Sequence, residues 1–319
     1  MPNVSVIMST YKEDPALVES SLDSILNQTY RDFELLVVID CPENHAVRAL
    51  LNKKQQKDSR ITVIQNQENL GLVASLNRAL DMAKGQYICR MDADDISMPN
   101  RIKTQLTFLT EHDLDLIGGR MTVIDEDGND LYDIPQPPVN PESVARALRW
   151  NNCVPHPTWF GKKTLFQQSY RTIPLCEDYD FLLRASLSGA RIANCDSIVL
   201  KYRMTAGSIS RTSLYRQFLY QRYITKAYRR HEVANPREAK QYVNSSYSES
   251  KATRYEQANN TFNGLLNSLS ERNILRSIAY SFRLLFCSAS YLNKIMRLAL
   301  VSMNQQGQFS PYSNYWPQH

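Results

Sequence analysis

The sequence predicts an α/β protein, a mostly parallel, doubly wound sheet followed by a helical C-terminal appendage. Three observations carry that expectation. Short apolar, β-rich runs alternate with helix-patterned stretches through the first hundred residues. Polar and acidic residues gather where those runs end, at Ser9-Thr10-Tyr11, at Asp40 and at Asp92-Ala93-Asp94-Asp95, and open α/β sheets collect ligands beyond the carboxyl ends of their strands. Charge divides the chain: residues 1–200 hold 20 Lys/Arg against 27 Asp/Glu, whereas residues 201–319 hold 17 against 5. An acidic body with a basic appendage points to an anionic partner for the latter.

Each element follows from local pattern. Residues 3–9 form a buried strand, and Pro15 suits the first turn of a helix ending near Gln28. Residues 33–39 are a second strand closed by Asp40-Cys41-Pro42, a polar helix runs to about Lys57, and residues 61–64 are a third strand. Asn69-Leu70-Gly71 turns into a helix over 72–83 with Gly85 as its C-cap. The strand 86–91 delivers the acidic cluster, and Pro99 opens the next helix. Beyond Gly119 the alternation breaks: residues 121–124 and 131–132 form a hairpin or bulged loop, and 135–141 is a proline-rich connector. Residues 150–160 are a loop entering a short strand, 178–188 an amphipathic helix and 197–202 a further strand. From Thr212 onward the pattern is helical, and residues 305–319 form a poorly ordered tail.

On a single helical wheel Arg272, Arg276, Arg283, Lys294 and Arg297 fall within an arc of about 60°. A narrow basic stripe on an apolar helix is the pattern of an interfacial membrane helix, and also of a helix docked on its own core with one wet face. No run of about 18 uncharged apolar residues is present, which excludes a helical membrane span, and no basic n-region precedes an apolar stretch at the N-terminus. The six cysteines are widely spaced without a C-x-x-C pair, as in a reduced, cytoplasmic protein. No nucleic-acid-binding module accompanies the basic charge.

Three carboxylates within four residues repel one another, so their burial calls for a cation. Mg²⁺ or Mn²⁺ takes oxygen ligands, commonly one or two carboxylates plus phosphate oxygens of a substrate. A D-x-D tripeptide alone is more often a solvated acidic turn; its place after a strand lifts it above that.

Several motifs in sequence order resemble the family 2 glycosyltransferases: Val4-Ser5-Val6-Ile7-Met8-Ser9-Thr10-Tyr11, Ser24-Ile25-Leu26-Asn27-Gln28-Thr29-Tyr30, Asn69-x-Gly71-Leu72, Asp92-Ala93-Asp94-Asp95 and Glu177-Asp178-Tyr179-Asp180. The resemblance covers residues 1–210 and implies a GT-A nucleotide-sugar-binding domain there, with a basic helical region over 211–304 outside it. It implies an inverting enzyme using a nucleotide-diphosphate sugar, a UDP-hexose or UDP-N-acetylhexosamine. Thr10, Tyr11, Glu13 and Asp40 would form the nucleobase and ribose pocket, with Asn69 nearby. Asp92 would meet ribose or a metal-bound water, and Asp94 with Asp95 would hold Mn²⁺ or Mg²⁺ on the diphosphate. Asp178 would be the general base, with Glu177 orienting it or binding acceptor; both acids also suit a helix N-terminus. Arg203 and Ser208 resemble the segment that closes on the diphosphate, and Met204 stands where many relatives carry His. His156 and Trp159 resemble the acceptor-side loop. The implied acceptor is a glycan or a polyprenyl-diphosphate-linked oligosaccharide, as in surface-polysaccharide assembly, at the inner face of the cell membrane with peripheral contact through 272–297. Two rival readings stand beside it, a metal-dependent nucleotidyltransferase and a catalytically silent assembly subunit.

Overall fold

The structure, a computed structural model, describes residues 1–204 and 213–303. Strands β1 (Val4–Thr10), β2 (Phe33–Ile39), β3 (Ile61–Gln65) and β4 (Tyr87–Asp92) lie in the order β3-β2-β1-β4, every pair parallel. The crossovers are helices α1 (Pro15–Leu26), α2 (His45–Lys57) and α3 (Leu72–Met82). β2 is buried along its whole length, as continuous apolar runs require when helices cover both faces of a parallel sheet. Asp14 caps α1 and Asn44 caps α2 by accepting main-chain N–H bonds from Ala16 and Val47. Gly71 enters α3 at φ +83°, a left-handed conformation that a side chain would strain.

The second half of the sheet is mixed. After β5 (Ile96–Ser97) and α4 (Arg101–Glu111) come β6 (Leu116–Ile124), β7 (Asp130–Asp133), α5 (Pro141–Leu148), β8 (Phe160–Lys162), α6 (Lys163–Phe166), α7 (Glu177–Leu187) and β9 (Ile192–Arg203). β8 is inserted antiparallel between β4 and β6, and β9 runs parallel to β6. The hairpin expected near residues 121–132 is present as β6–β7, with a bulge at Val123/Ile124. Among the described residues five helices follow: α8 (Leu214–Arg229), α9 (Pro236–Ser246), α10 (Glu249–Ser270), α11 (Ile274–Cys287) and α12 (Ala289–Met303). They share one apolar core with the sheet, in which Leu36 and Trp159 join Tyr255, Tyr291 and Val301. Arg297 ties α12 to the body, donating to Trp150 O at 2.5 Å and Thr225 Oγ1 at 3.0 Å.

Three expectations need correction. Gly85 does not cap α3, whose C-cap is Ala83; Gly85 lies where β1 passes, and a Cβ there would sit 2.6 Å from Ser5 N. The proline-rich stretch conceals α5, with Asn140 as its N-cap and Pro141 in the first turn. The single basic stripe does not exist, because the helix breaks at Ser288 and α11 and α12 meet at 116°. Arg297 is buried and Lys294 packs over the rings of Tyr291 and Tyr255, so only Arg276 and Arg283 of α11 remain together on an exposed helix. The expected tail over 305–319 lies outside the described residues.

Candidate active site

The parallel register sets the site. Thr10 pairs with Ile39 and Ser9 with Asp92, so the ends of β1, β2 and β4 fall on one edge of the sheet. Asp40 is buried at that edge, accepting bonds from Asn66 Nδ2 at 2.7 Å, Leu70 N at 2.8 Å and Gly71 N at 2.9 Å. It thereby shapes the 69–71 turn, which Asn69 supports through its own bond to Gly71 N. Glu13 accepts from Thr10 Oγ1 at 2.7 Å and Tyr11 N at 2.6 Å, and the Tyr11 ring is exposed beside Lys12.

At the end of β4, Asp92 forms a bidentate ion pair with the buried guanidinium of Arg90. Burial, then Asp92, pushes Asp94 up to about 7, and the same causes push Asp95 well above the usual carboxylate range. Asp95 is fully buried; its Oδ1 accepts from Arg203 N at 2.8 Å, and its Oδ2 has no hydrogen-bond partner. The Arg203 guanidinium donates to Asp94 O, Asp125 O and Glu126 O, so it clamps the acidic turn against the β6–β7 loop.

Glu177 and Asp178 open α7, where acids suit the helix N-terminus. Asp178 accepts from Asn152 Nδ2 at 2.8 Å and from Tyr179 N at 2.6 Å. Burial and Asp178 push Glu177 up to about 7, and burial raises Asp178 as well. His156 bonds to Tyr170 Oη at 2.9 Å, and burial holds its pKa well below the ordinary imidazole value. Trp159 is wholly buried, its Nε1 donating to Val154 O at 3.0 Å, and it packs edge-on to His156. It braces His156 from the core and has no face for an acceptor.

Arg90, Asp92, His156, Glu177 and Asp178 all line one cavity of about 1370 Å³. Thr10, Tyr11, Glu13 and Asp40 gather at the sheet edge outside that wall, though the Leu70-Gly71 turn held by Asp40 lines it. Ser208 lies outside the described residues. Arg90, Asn152 and Tyr170 belong to the same wall and were not found from the sequence. A lone arginine inside the apolar run Tyr87-Ile88-Cys89-Arg90-Met91 was a signal for the first.

The acidic turn fits a divalent cation. Burial and mutual repulsion disfavour charge on Asp94 and Asp95, and the partnerless Asp95 Oδ2 marks a cluster short of positive charge. Among the described residues no group of three or more His, Cys, Asp or Glu is assembled to hold a metal. A cation here would therefore rest on one or two carboxylates and complete its shell with substrate oxygens.

A doubly wound sheet with acids at its carboxyl edge, one of which shares a cavity with the carboxylate pair that opens α7, is the arrangement of an α/β enzyme that binds its ligands beyond the strand ends. The chain belongs to glycosyl transferase family 2, whose model matches residues 5–171. It is 32% identical over 235 residues to the O-antigen biosynthesis glycosyltransferase WbnJ of Escherichia coli, covering 70% of this chain and 91% of that one. It is 27% identical to the E. coli UDP-Glc:alpha-D-GlcNAc-diphosphoundecaprenol beta-1,3-glucosyltransferase WfgD, covering 65% and 79%. Its fold is similar to that of S. aureus TarS 1–349, solved with UDP-GlcNAc, with a TM-score of 0.60 at 19% identity over 97% and 94% of the two chains. The protein is a glycosyltransferase.

Proposed function

We propose that this glycosyltransferase moves a hexose or N-acetylhexosamine from a UDP-sugar, with inversion, onto a hydroxyl of a glycan or lipid-linked oligosaccharide in surface-polysaccharide assembly. The observation that carries the mechanism is the shared cavity wall of Asp92, at the donor edge of the sheet, and Asp178 at the start of α7. Asp178 takes the proton of the acceptor hydroxyl as its oxygen attacks the anomeric carbon. The bond from that carbon to the diphosphate breaks, and its electron pair leaves on UDP. Asn152 fixes the Asp178 carboxylate, and Glu177 beside it binds the acceptor. Thr10, Tyr11 and Asp40 receive the nucleoside, and Asp92 the ribose. Asp94, half-buried, would hold Mg²⁺ or Mn²⁺, with Asp95 buried beside it and Arg203 fixing the turn. When bound there, the ion would supply Lewis-acid stabilisation of the leaving diphosphate. His156 stays neutral and offers a hydrogen bond to the acceptor.

The names of WbnJ and WfgD support the pathway, and the UDP complex of TarS supports the donor class. Contact with a membrane surface is assigned to α11, whose apolar face is open to solvent. The test is calorimetric titration of UDP and GDP with and without Mn²⁺, on wild type and Asp94→Ala, joined to turnover of Asp178→Asn. Metal-dependent UDP binding should vanish in Asp94→Ala. Asp178→Asn should keep UDP binding while turnover drops by roughly 10²–10⁴-fold. Full activity of Asp178→Asn would favour a nucleotidyltransferase.

A further inference from the structure

The cavity does not end at the carboxylates. Its far wall is built by the C-terminal helices: Leu265, Leu266 and Leu269 from α10, and Ile295, Leu298 and Ala299 from α12. At about 1370 Å³ it exceeds the several hundred to roughly 1,000 Å³ that holds an ordinary small ligand, and its lining is mainly apolar. A sugar and a diphosphate are strongly hydrated, so they give no reason for such walls. Leu269 and Ala299 are exposed as well as cavity-lining, so the apolar part reaches the surface there. Leu269 lies at the end of α10, directly before α11, whose Ile278, Phe282 and Phe286 face solvent.

On the wall that the C-terminal helices build, a cation interrupts the apolar lining. Lys294 lines the cavity and stacks over Tyr291 and Tyr255 at 5.0 and 5.8 Å, with no carboxylate in ion-pair contact among the described residues. Burial lowers its pKa to about 8. Lys294 also shares a smaller recess with Asn151, the neighbour of the Asn152 that fixes Asp178. A half-buried ammonium on the same cavity as Asp178, beside apolar walls that reach the surface, matches a phosphorylated head carrying a long hydrocarbon tail.

We propose that the acceptor is a lipid diphosphate glycan whose hydrocarbon chain lies in the apolar part of this cavity, between α10 and α12, with its diphosphate on Lys294. This rests on the transferase reading above and selects the lipid-linked acceptor over a free glycan. The chain leaves beside α11, so the same helix that meets the membrane guards the entrance.

The test is calorimetric titration of the full chain with farnesyl diphosphate and with inorganic diphosphate, in saturating UDP to fill the donor subsite and again without UDP. Wild type should bind farnesyl diphosphate at least tenfold more tightly than diphosphate. Ala299→Trp, which adds bulk at an exposed wall position, should remove most of that gain, as should Leu269→Glu. Lys294→Met should weaken both probes and leave their ratio standing. Equal affinity of wild type for the two probes overturns the proposal, as does a gain that survives both Ala299→Trp and Leu269→Glu. The chain-dependent gain is read whether or not UDP binds. A failure here with intact UDP binding removes the lipid cavity alone, whereas loss of UDP binding with an intact gain removes the donor reading alone.

Discussion

Arg90 shows how much of this site depends on a single charge. Its guanidinium is buried, paired with Asp92, and close enough to lower the proton affinity of Asp94, Asp95, Glu177 and Asp178. Burial works against its charge, but Asp92, Tyr170 and Asp95 together outweigh it and keep its pKa high. Arg90→Met should therefore cost about 3–5 kcal/mol of stability, read from urea denaturation, because removing one partner strands a carboxylate. An unchanged midpoint would mean that the pair contributes nothing. Glu177 makes a pH prediction. Its folded pKa of about 7 exceeds the unfolded value of 4.5, so between them the folded state binds more protons. Its contribution to stability is full below the unfolded value and is lost as pH rises through about 7. Denaturation midpoints should fall between about pH 5 and about pH 8, and Glu177→Gln should flatten that fall. The acids of this site were legible in the sequence because local motifs place them at strand and helix ends. Asn152 and Tyr170 were not, since each acts through a partner distant in sequence, Asp178 and His156. Trp159 and Arg203 show the reverse. The motif marked both, but burial turns one into packing and the other into a backbone clamp.

Elements that carry their own signals were readable, and those fixed by neighbours were not. β1 to β4 and their crossover helices follow from apolar runs, caps and spacing, and the parallel order follows from the alternation. The insertion of β8 between β4 and β6 has no local signature; only three residues form that strand. α5 was hidden because Pro141, read as part of a connector, occupies a helix first turn. Gly85 marks the same limit, for its reason to be glycine lies in β1, 80 positions away by its N–H bond to Ser5 Oγ. Gly85→Ala would force Cβ against Ser5 N and Val4 C, main-chain atoms that cannot swing aside. The expected loss is about 1–3 kcal/mol, measured by chemical denaturation, with the larger figure if β1 cannot shift. A neutral result would show that the β1–β4 edge yields, and with it the register that aligns Thr10 and Asp92.

At the scale of the whole molecule, charge and exposed apolar surface fall on the same side of the chain order. Ile274, Leu275, Ile278, Phe282, Leu285 and Phe286 span an arc of about 120° on α11, and all six are more than 60% exposed. Arg276 and Arg283 lie together, both exposed, about 60–80° beyond the Phe286 edge of that arc. The opposite side, with Ser277 and Leu284, packs inward. Among the described residues no single helix is long and apolar enough to cross a membrane, so α11 would lie in the interface with its apolar side down. Two arginines at an anionic surface contribute about 1 kcal/mol each, roughly 30-fold in partitioning together. The two phenylalanines add their buried area to this. The protein should therefore float with vesicles containing anionic lipid more than with neutral ones, and the difference should shrink at high salt. Phe282→Asp with Phe286→Asp should abolish flotation and leave UDP binding intact, because neither ring lines the cavity. Equal flotation on neutral and anionic lipid would remove the role given to the arginines. Flotation of the double variant like wild type would remove α11 as the contact altogether, and the lipid-linked acceptor would then have to reach Asp178 from solution.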